Sequence, residues 1–183
     1  MIVKQDKLAA AIHEEEDLRC YAGVKLVPEN KDNKCVIIKH GDFYFGILIC
    51  SELTNIDYRA QFRGYVDAIF VPEWNQDTEM FGSLIEAAAY DVHAYIIQCN
   101  DRRYGDTRIR IQAKQHYDRD IVKIKGGEED YFVIGKLDIN KLRQFQSNKI
   151  SPTGESALFK PVPVGFVIAP YRECLPNENN DKH

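Results

Sequence analysis

Three apolar runs, at 43–50, 68–72 and 94–99, constrain this chain most. Each is short for a helix and apolar on both faces, as a strand covered on both sides of a sheet must be. Between them lie two helical stretches. One is read around 57–66. The other can be capped by Asp77 or Thr78 and runs to about Asp91, with Phe81, Leu84, Ile85 and Ala88 at helical spacing. Strand, helix, strand, helix, strand over 43–99 predicts an α/β layered fold.

From Arg108 the pattern changes. Residues 108–111 and 121–125 alternate with period two, Gly126-Gly127 turns the chain, and 131–137 is apolar again. These predict strands of a more exposed, partly antiparallel hairpin region. A helix is expected over 6–19, where Ala and Glu dominate and Leu8, Ile12 and Leu18 suggest an apolar stripe. A short strand is expected at 35–39, a short helix at 139–146, and an isolated strand or docking segment at 162–169. The polar end, from Asn177 on, is expected to be disordered. The organisation expected is an N-terminal helix and loop (1–34), an α/β domain (35–146) and an irregular extension (147–183).

Net charge is −4, from 24 basic and 28 acidic side chains. That balance gives no electrostatic reason to expect direct nucleic-acid binding. No apolar run approaches the ~20 residues that span a bilayer, and the start lacks the apolar core of a secretory signal, so a cytoplasmic protein is expected. The five cysteines, Cys20, Cys35, Cys50, Cys99 and Cys174, are odd in number and hold no C-x-x-C pair. A disulfide framework and a zinc site are therefore not expected. No cofactor and no metal are expected.

Cys50 is the most informative position. It ends a strand read as central, and a side chain there points into the crevice where α/β proteins hold ligands. On position alone it is either a buried structural cysteine or a nucleophile. Trp74 and Asn75 follow the next strand and either line a pocket or serve as a core aromatic and a loop cap. Asn100 and Arg103 close the third strand and are read as braces, and His93 as a structural histidine. Glu14, Glu15 and Glu16 read as a solvated helix face.

Several stretches carry a resemblance. Gly46-Ile-Leu-Ile-Cys50-Ser-Glu52 resembles the nucleophile motif of the nitrilase, or carbon–nitrogen hydrolase, superfamily. Gly64-Tyr-Val-Asp-Ala-Ile-Phe-Val-Pro72 resembles that family's next strand, 84–90 its following helix, 95–103 the strand after it and 127–138 a late hairpin. Residues 73–77, 93–98, 104–109 and 143–146 are similar, more narrowly, to the nitrilase-like domain fused to some bacterial antiphage reverse transcriptases. The resemblance covers about 36–146. It implies part of a nitrilase-type αββα sandwich, the C-terminal half.

The resemblance also implies a chemistry. A thiolate attacks an amide or nitrile carbon, a glutamate takes the thiol proton, and a lysine ammonium with a backbone N–H steadies the developing charge. Here Cys50 would be the nucleophile and the Ser51 N–H a donor, with Glu52 holding the elbow by hydrogen bonds. Val24-Lys25-Leu26-Val27-Pro28 resembles the family's lysine stretch, so Lys25 would be the ammonium, or else a solvated surface lysine. Glu29 would be the auxiliary glutamate. Ser51, Glu52, Trp74 and Asn75 would meet the substrate, a small amide or nitrile. Only 49 residues precede Cys50, too few for the family's upstream base and first sheet. A homo-oligomer or a partner chain covering the exposed sheet face is therefore expected. The alternatives are a catalytically inactive nitrilase-like assembly module, within an antiphage reverse transcriptase system for example, and a cysteine redox sensor.

Overall fold

Six strands form one mixed sheet in the order β1 to β6. They are β1 (Ile38–His40), β2 (Phe43–Ile47), β3 (Ala68–Pro72), β4 (Tyr95–Cys99), β5 (Thr107–Arg110) and β6 (Asp120–Ile124). The computed structural model describes residues 4–27, 34–148 and 158–173. The central trio β2–β3–β4 is parallel, and the flanking pairs β1–β2, β4–β5 and β5–β6 are antiparallel. The α/β class and the alternation over 43–99 hold. The parallel strands need crossovers, which are α2 (Ile56–Gln61) and α3 (Thr78–Val92).

Both crossover helices have side-chain caps. The Asn55 carboxamide oxygen accepts the Asp57 N–H at 2.9 Å, and an Asp77 carboxylate oxygen accepts that of Met80 at 3.0 Å. α3 ends at His93, whose φ of +55° stops the helix. The helices cover one sheet face, where Leu48, Ile69, Val71 and Ile96 pack against Phe62, Phe81, Ile85 and Val92. Each such buried side chain contributes about 1.5–3 kcal/mol. Gly46 is required by this packing, because a Cβ there would lie 2.2 Å from the Phe62 ring.

The other sheet face is covered only in part. Ala68, Tyr95, Ile111 and Ala113 pack under Leu142 of α4 (Ile139–Asn148) and under Phe159. Toward the carboxyl ends of β2–β4 the face opens as a hollow of about 320 Å³, lined by Phe45, Ile47, Phe70, Pro72, Ile97 and Cys99.

The structure departs from the sequence reading in three places. The helix expected over 6–19 is short, α1 (Ile12–Asp17), and passes into a π-helical turn over Leu18–Ala22. Leu8 lies ahead of it and packs into the helix-side core, whereas Ile12 is exposed. Ala and Glu favour the helix locally, but Ile12 finds no surface to cover. Second, α2 ends at Gln61, because the chain must turn at Gly64 (φ +81°), which the Val167 carbonyl approaches too closely for any Cβ. Third, residues 131–137 are not a strand. They form a strap across the open face, where Gly135 rests on Ile109 and Val122. Of the two readings for 162–169, the docking segment holds and the strand does not. Phe159 bridges to Ala113, and Phe166, Ile168 and Ala169 dock irregularly, with the Ala169 N–H donating to the Gly64 carbonyl at 2.9 Å. The expected disordered end lies outside the described residues.

The docked segment is locked by charge. Arg172 and Asp67 are both fully buried and paired at 2.9 Å, and Arg143 also pairs with Asp67. Arg172 further donates to the Gly64 carbonyl at 2.7 Å and to Gln146 Oε1 at 2.9 Å. Buried His93 lies within 3.0 Å of the Lys160 carbonyl through Nε2 and accepts from Gln146 at its own carbonyl. Burial lowers its pKa below the usual histidine value, which fits its reading as structural.

Among the described residues no helix is long and apolar enough to cross a membrane, and no cluster of His, Cys, Asp and Glu could hold a metal.

Candidate functional site

Because β2, β3 and β4 are parallel, their carboxyl ends share one edge of the sheet. That edge carries the segments 48–54, 73–77 and 100–106. β2 continues two residues past its ladder, with the Leu48 N–H donating to the Phe70 carbonyl at 3.0 Å. The chain then turns abruptly. Cys50 has φ +53° and opens a 3-10 turn, Cys50–Thr54. A side chain in the left-handed region costs about 1–2 kcal/mol, and such strain persists only where the surroundings impose it.

Glu52 imposes it. The residue is 1% exposed. Its Oε2 accepts the Ile49 N–H at 2.7 Å, and its Oε1 accepts the Leu8 N–H. The carboxylate thus clamps the residue before Cys50 and ties the N-terminal segment to the elbow. Burial raises the Glu52 pKa, and the backbone donors of Ile49, Leu8 and Ala9 oppose that shift. With both oxygens occupied, Glu52 holds the turn. The Ser51 hydroxyl is buried and has no hydrogen-bond partner among the described residues, while the Ser51 carbonyl accepts from Thr54 Oγ1 at 2.7 Å.

The adjacent strand ends brace each other. The Asn100 carboxamide oxygen accepts the Asn75 N–H at 2.9 Å, and its Nδ2 donates to the Asn75 and Gly105 carbonyls, each at 2.9 Å. The Asn75 side chain caps its own loop, with Oδ1 accepting the Asp77 N–H and Nδ2 donating to the Asp77 carbonyl, both at 3.1 Å. Trp74 is 62% exposed and lies 6.2 Å from the Tyr104 ring, centroid to centroid. Arg103 pairs with Asp101 at 2.9 Å.

Glu73 opens the 73–77 stretch but was not among the site residues expected from the sequence. Its Oε1 accepts from Gln98 Nε2 at 2.7 Å, whereas Oε2 is buried without a partner. Burial raises its pKa, against the hydrogen bond from Gln98 and the attraction of Arg108. The only signal was its place one residue after a strand-ending proline.

Of the charged residues assigned to Cys50, Lys25 is exposed and Glu29 lies outside the described residues. Among the described residues no hydrogen bond or ion pair links Lys25 to Cys50. The half-buried thiol lines neither the apolar hollow nor a second hollow of about 370 Å³ beside Asn100 and Tyr131. Cys50, Ser51 and Glu52 therefore share one turn, with Trp74 and Asn75 on the neighbouring strand end, while no hydrogen bond or ion pair among the described residues joins Lys25 to Cys50.

No family model matches the chain, and no curated protein matches it. Its fold resembles solved structures of the nitrilase, or CN-hydrolase, superfamily. An amidase from Nesterenkonia sp. AN1, carrying acrylamide added at its active-site cysteine, is 13% identical, with 67% of this chain and 48% of that one aligned at a TM-score of 0.48. Saccharomyces cerevisiae Nit3, of branch 10 of the superfamily, is 20% identical over 64% of this chain and 42% of that one, TM-score 0.47. A Xanthomonas campestris CN-hydrolase superfamily protein with an arsenic adduct in its active site is 11% identical over 52% and 41%, TM-score 0.43. The chain spans less than half the length of each.

Proposed function

We propose that this chain carries the nucleophile-bearing part of a thiol-dependent hydrolase of carbon–nitrogen bonds, with Cys50 as the nucleophile. The observation that supports it is the backbone of Cys50 itself. A non-glycine residue at φ +53°, at the end of an interior parallel strand, is held there by a buried carboxylate. A merely structural cysteine gains nothing from that cost.

In the proposed reaction the Cys50 thiol gives up its proton to a base and the sulfur attacks an amide or nitrile carbon, forming a carbon–sulfur bond. With an amide, the tetrahedral oxygen takes the negative charge, which the Ser51 N–H and an ammonium stabilise. The carbon–nitrogen bond breaks as the leaving nitrogen takes a proton. Water then cleaves the thioester and restores the thiol. Lys25 and Glu29 are the chain's assigned ammonium and auxiliary glutamate; Trp74, Asn75 and the 51–52 turn would border the substrate. Because Lys25 is exposed and unbonded to the thiol, the complete reaction calls for Lys25 to move toward Cys50 or for charged groups from another chain.

The test is ammonia release from a panel of short aliphatic amides and nitriles, with Cys50→Ala as control. Turnover lost in Cys50→Ala and weakened in Lys25→Met supports the reading. Turnover retained without the Cys50 thiol removes it.

One observation favours a second reading. The open apolar face, together with a thiol that makes no hydrogen bond among the described residues, suits an inactive assembly module. That reading expects no turnover on any amide and a partner-dependent gain in stability.

A further inference from the structure

The open sheet face and the strap beside it are complementary surfaces on one molecule. The hollow is lined by Phe45, Ile47, Phe70, Pro72, Ile97 and Cys99 and carries no charged side chain. The strap, on the same face, turns Phe132 and Ile134 outward at 88% and 81% exposure. Its position is fixed, because Gly135 seats directly on Ile109 and Val122, which share the face with Ile97. Its far end is held by Tyr95, whose hydroxyl donates to the Asp138 carbonyl at 3.3 Å and accepts the Asp138 N–H at 3.1 Å. The chain thus presents an apolar plug and an unfilled apolar hollow side by side, and the plug cannot turn back into its own hollow without unseating Gly135.

We infer that this face pairs with a second copy of the chain, each strap seating Phe132 and Ile134 in the other's hollow. A two-fold axis lying in the face, between strap and hollow, brings both contacts about at once. The result is a sheet-on-sheet layer of the kind that covers strands apolar on both faces. An uncharged hollow suits a self-pairing surface, since no charge in it is left buried without its partner. Of the chain's own remaining segments, 28–33, 149–157 and 174–183 hold only Ile150 and Leu175 as large apolar side chains, and Met1, Ile2 and Val3 precede Leu8, which packs into the helix-side core on the opposite face. The inference does not rest on the chemistry of Cys50, which lies outside the hollow, so Cys50→Ala leaves the pairing unchanged.

Sedimentation velocity on the full chain over about 1–100 μM tests it. The expected species has twice the 21.1 kDa chain mass. Phe132→Asp and Ile134→Asp, both at exposed positions that burden the fold little, are each expected to weaken the dimer at least about tenfold. In Phe132→Cys, a short bismaleimide is expected to join the introduced thiol to Cys99 of the second copy, located by mass spectrometry. A folded monomer across the range overturns the inference. So does a dimer indifferent to both strap substitutions, and so does an open-ended polymer, which the two-fold arrangement forbids.

Discussion

Leu8 and Glu52 stand 44 residues apart, and the Leu8 N–H donates to the same buried carboxylate that accepts the Ile49 N–H beside Cys50. The N-terminal segment is thereby part of the elbow's support. Glu52→Gln keeps the shape but turns one accepting oxygen into a donor, which faces a backbone N–H. A loss of about 1–3 kcal/mol is expected, read by urea denaturation. Removal of residues 1–10 should slow thiol labelling at Cys50 as well as destabilise the fold; an unaltered labelling rate would separate the segment from the elbow.

The strained backbone at Cys50 predicts an inversion of the usual trade. Cys50→Gly removes a Cβ from φ +53°, and the relief is about 1 kcal/mol, reduced by the greater freedom of glycine when unfolded. Cys50→Gly should therefore be at least as stable as the native chain, while Cys50→Ala, which keeps the strain, should match it. Thermal melts of the two variants side by side check this.

Thiol reactivity should be uneven. Burial, with the nearby Glu52 charge, pushes the Cys35 thiol up to about 11, and its Sγ donates to the Tyr58 carbonyl at 3.7 Å. At pH 8 only about one Cys35 in a thousand is thiolate. Iodoacetamide followed by peptide mass spectrometry should find Cys35 last to react. Under the proposed function Cys50 reacts ahead of the exposed Cys20 and Cys99.

Glu73 supplies a pH dependence. Its folded pKa is raised above the ordinary 4.5, chiefly by burial. A raised carboxyl contributes stability that is complete below the unfolded value and lost as pH climbs through the folded one. The native chain should therefore lose stability relative to Glu73→Gln as pH rises above 4.5, and the two curves should run parallel below it. Urea midpoints from pH 4 to 8 measure the difference. A native chain that gains stability relative to Glu73→Gln with rising pH would contradict the assignment.

The Arg172–Asp67 pair anchors the C-terminal segment. Arg172→Met leaves a fully buried Asp67 with Arg143 as its remaining cation, and a loss of about 3 kcal/mol is expected. Limited proteolysis should then cut first near 158–173, because the pair ties that segment to the sheet.

Legibility followed the range of the interactions. β2, β3, β4 and α3 were readable because strand and helix periodicities are local, and so was the Asp77 cap, three residues from the N–H it serves. The strap at 131–137 was misread because Tyr131-Phe-Val-Ile has every propensity of a strand; what decides its path is the contact of Gly135 with Ile109 and Val122. The Arg172–Asp67 and Glu52–Leu8 contacts span 105 and 44 residues, and no spacing rule reaches across such distances. Cys50 itself was legible as the end of an apolar run, but the clamp that holds it was legible only in half, through Glu52.

Gly46 lies four residues before Cys50 and is fixed by the ring of Phe62, which occupies the space any larger residue would need. In the stretch that resembles a nucleophile motif, the glycine is therefore a steric demand of the helix layer, independent of any reaction. A descendant of this chain that had lost its thiol would still be obliged to retain the glycine. A pattern search anchored on that position recovers architecture first, and leaves chemistry to be established at the bench.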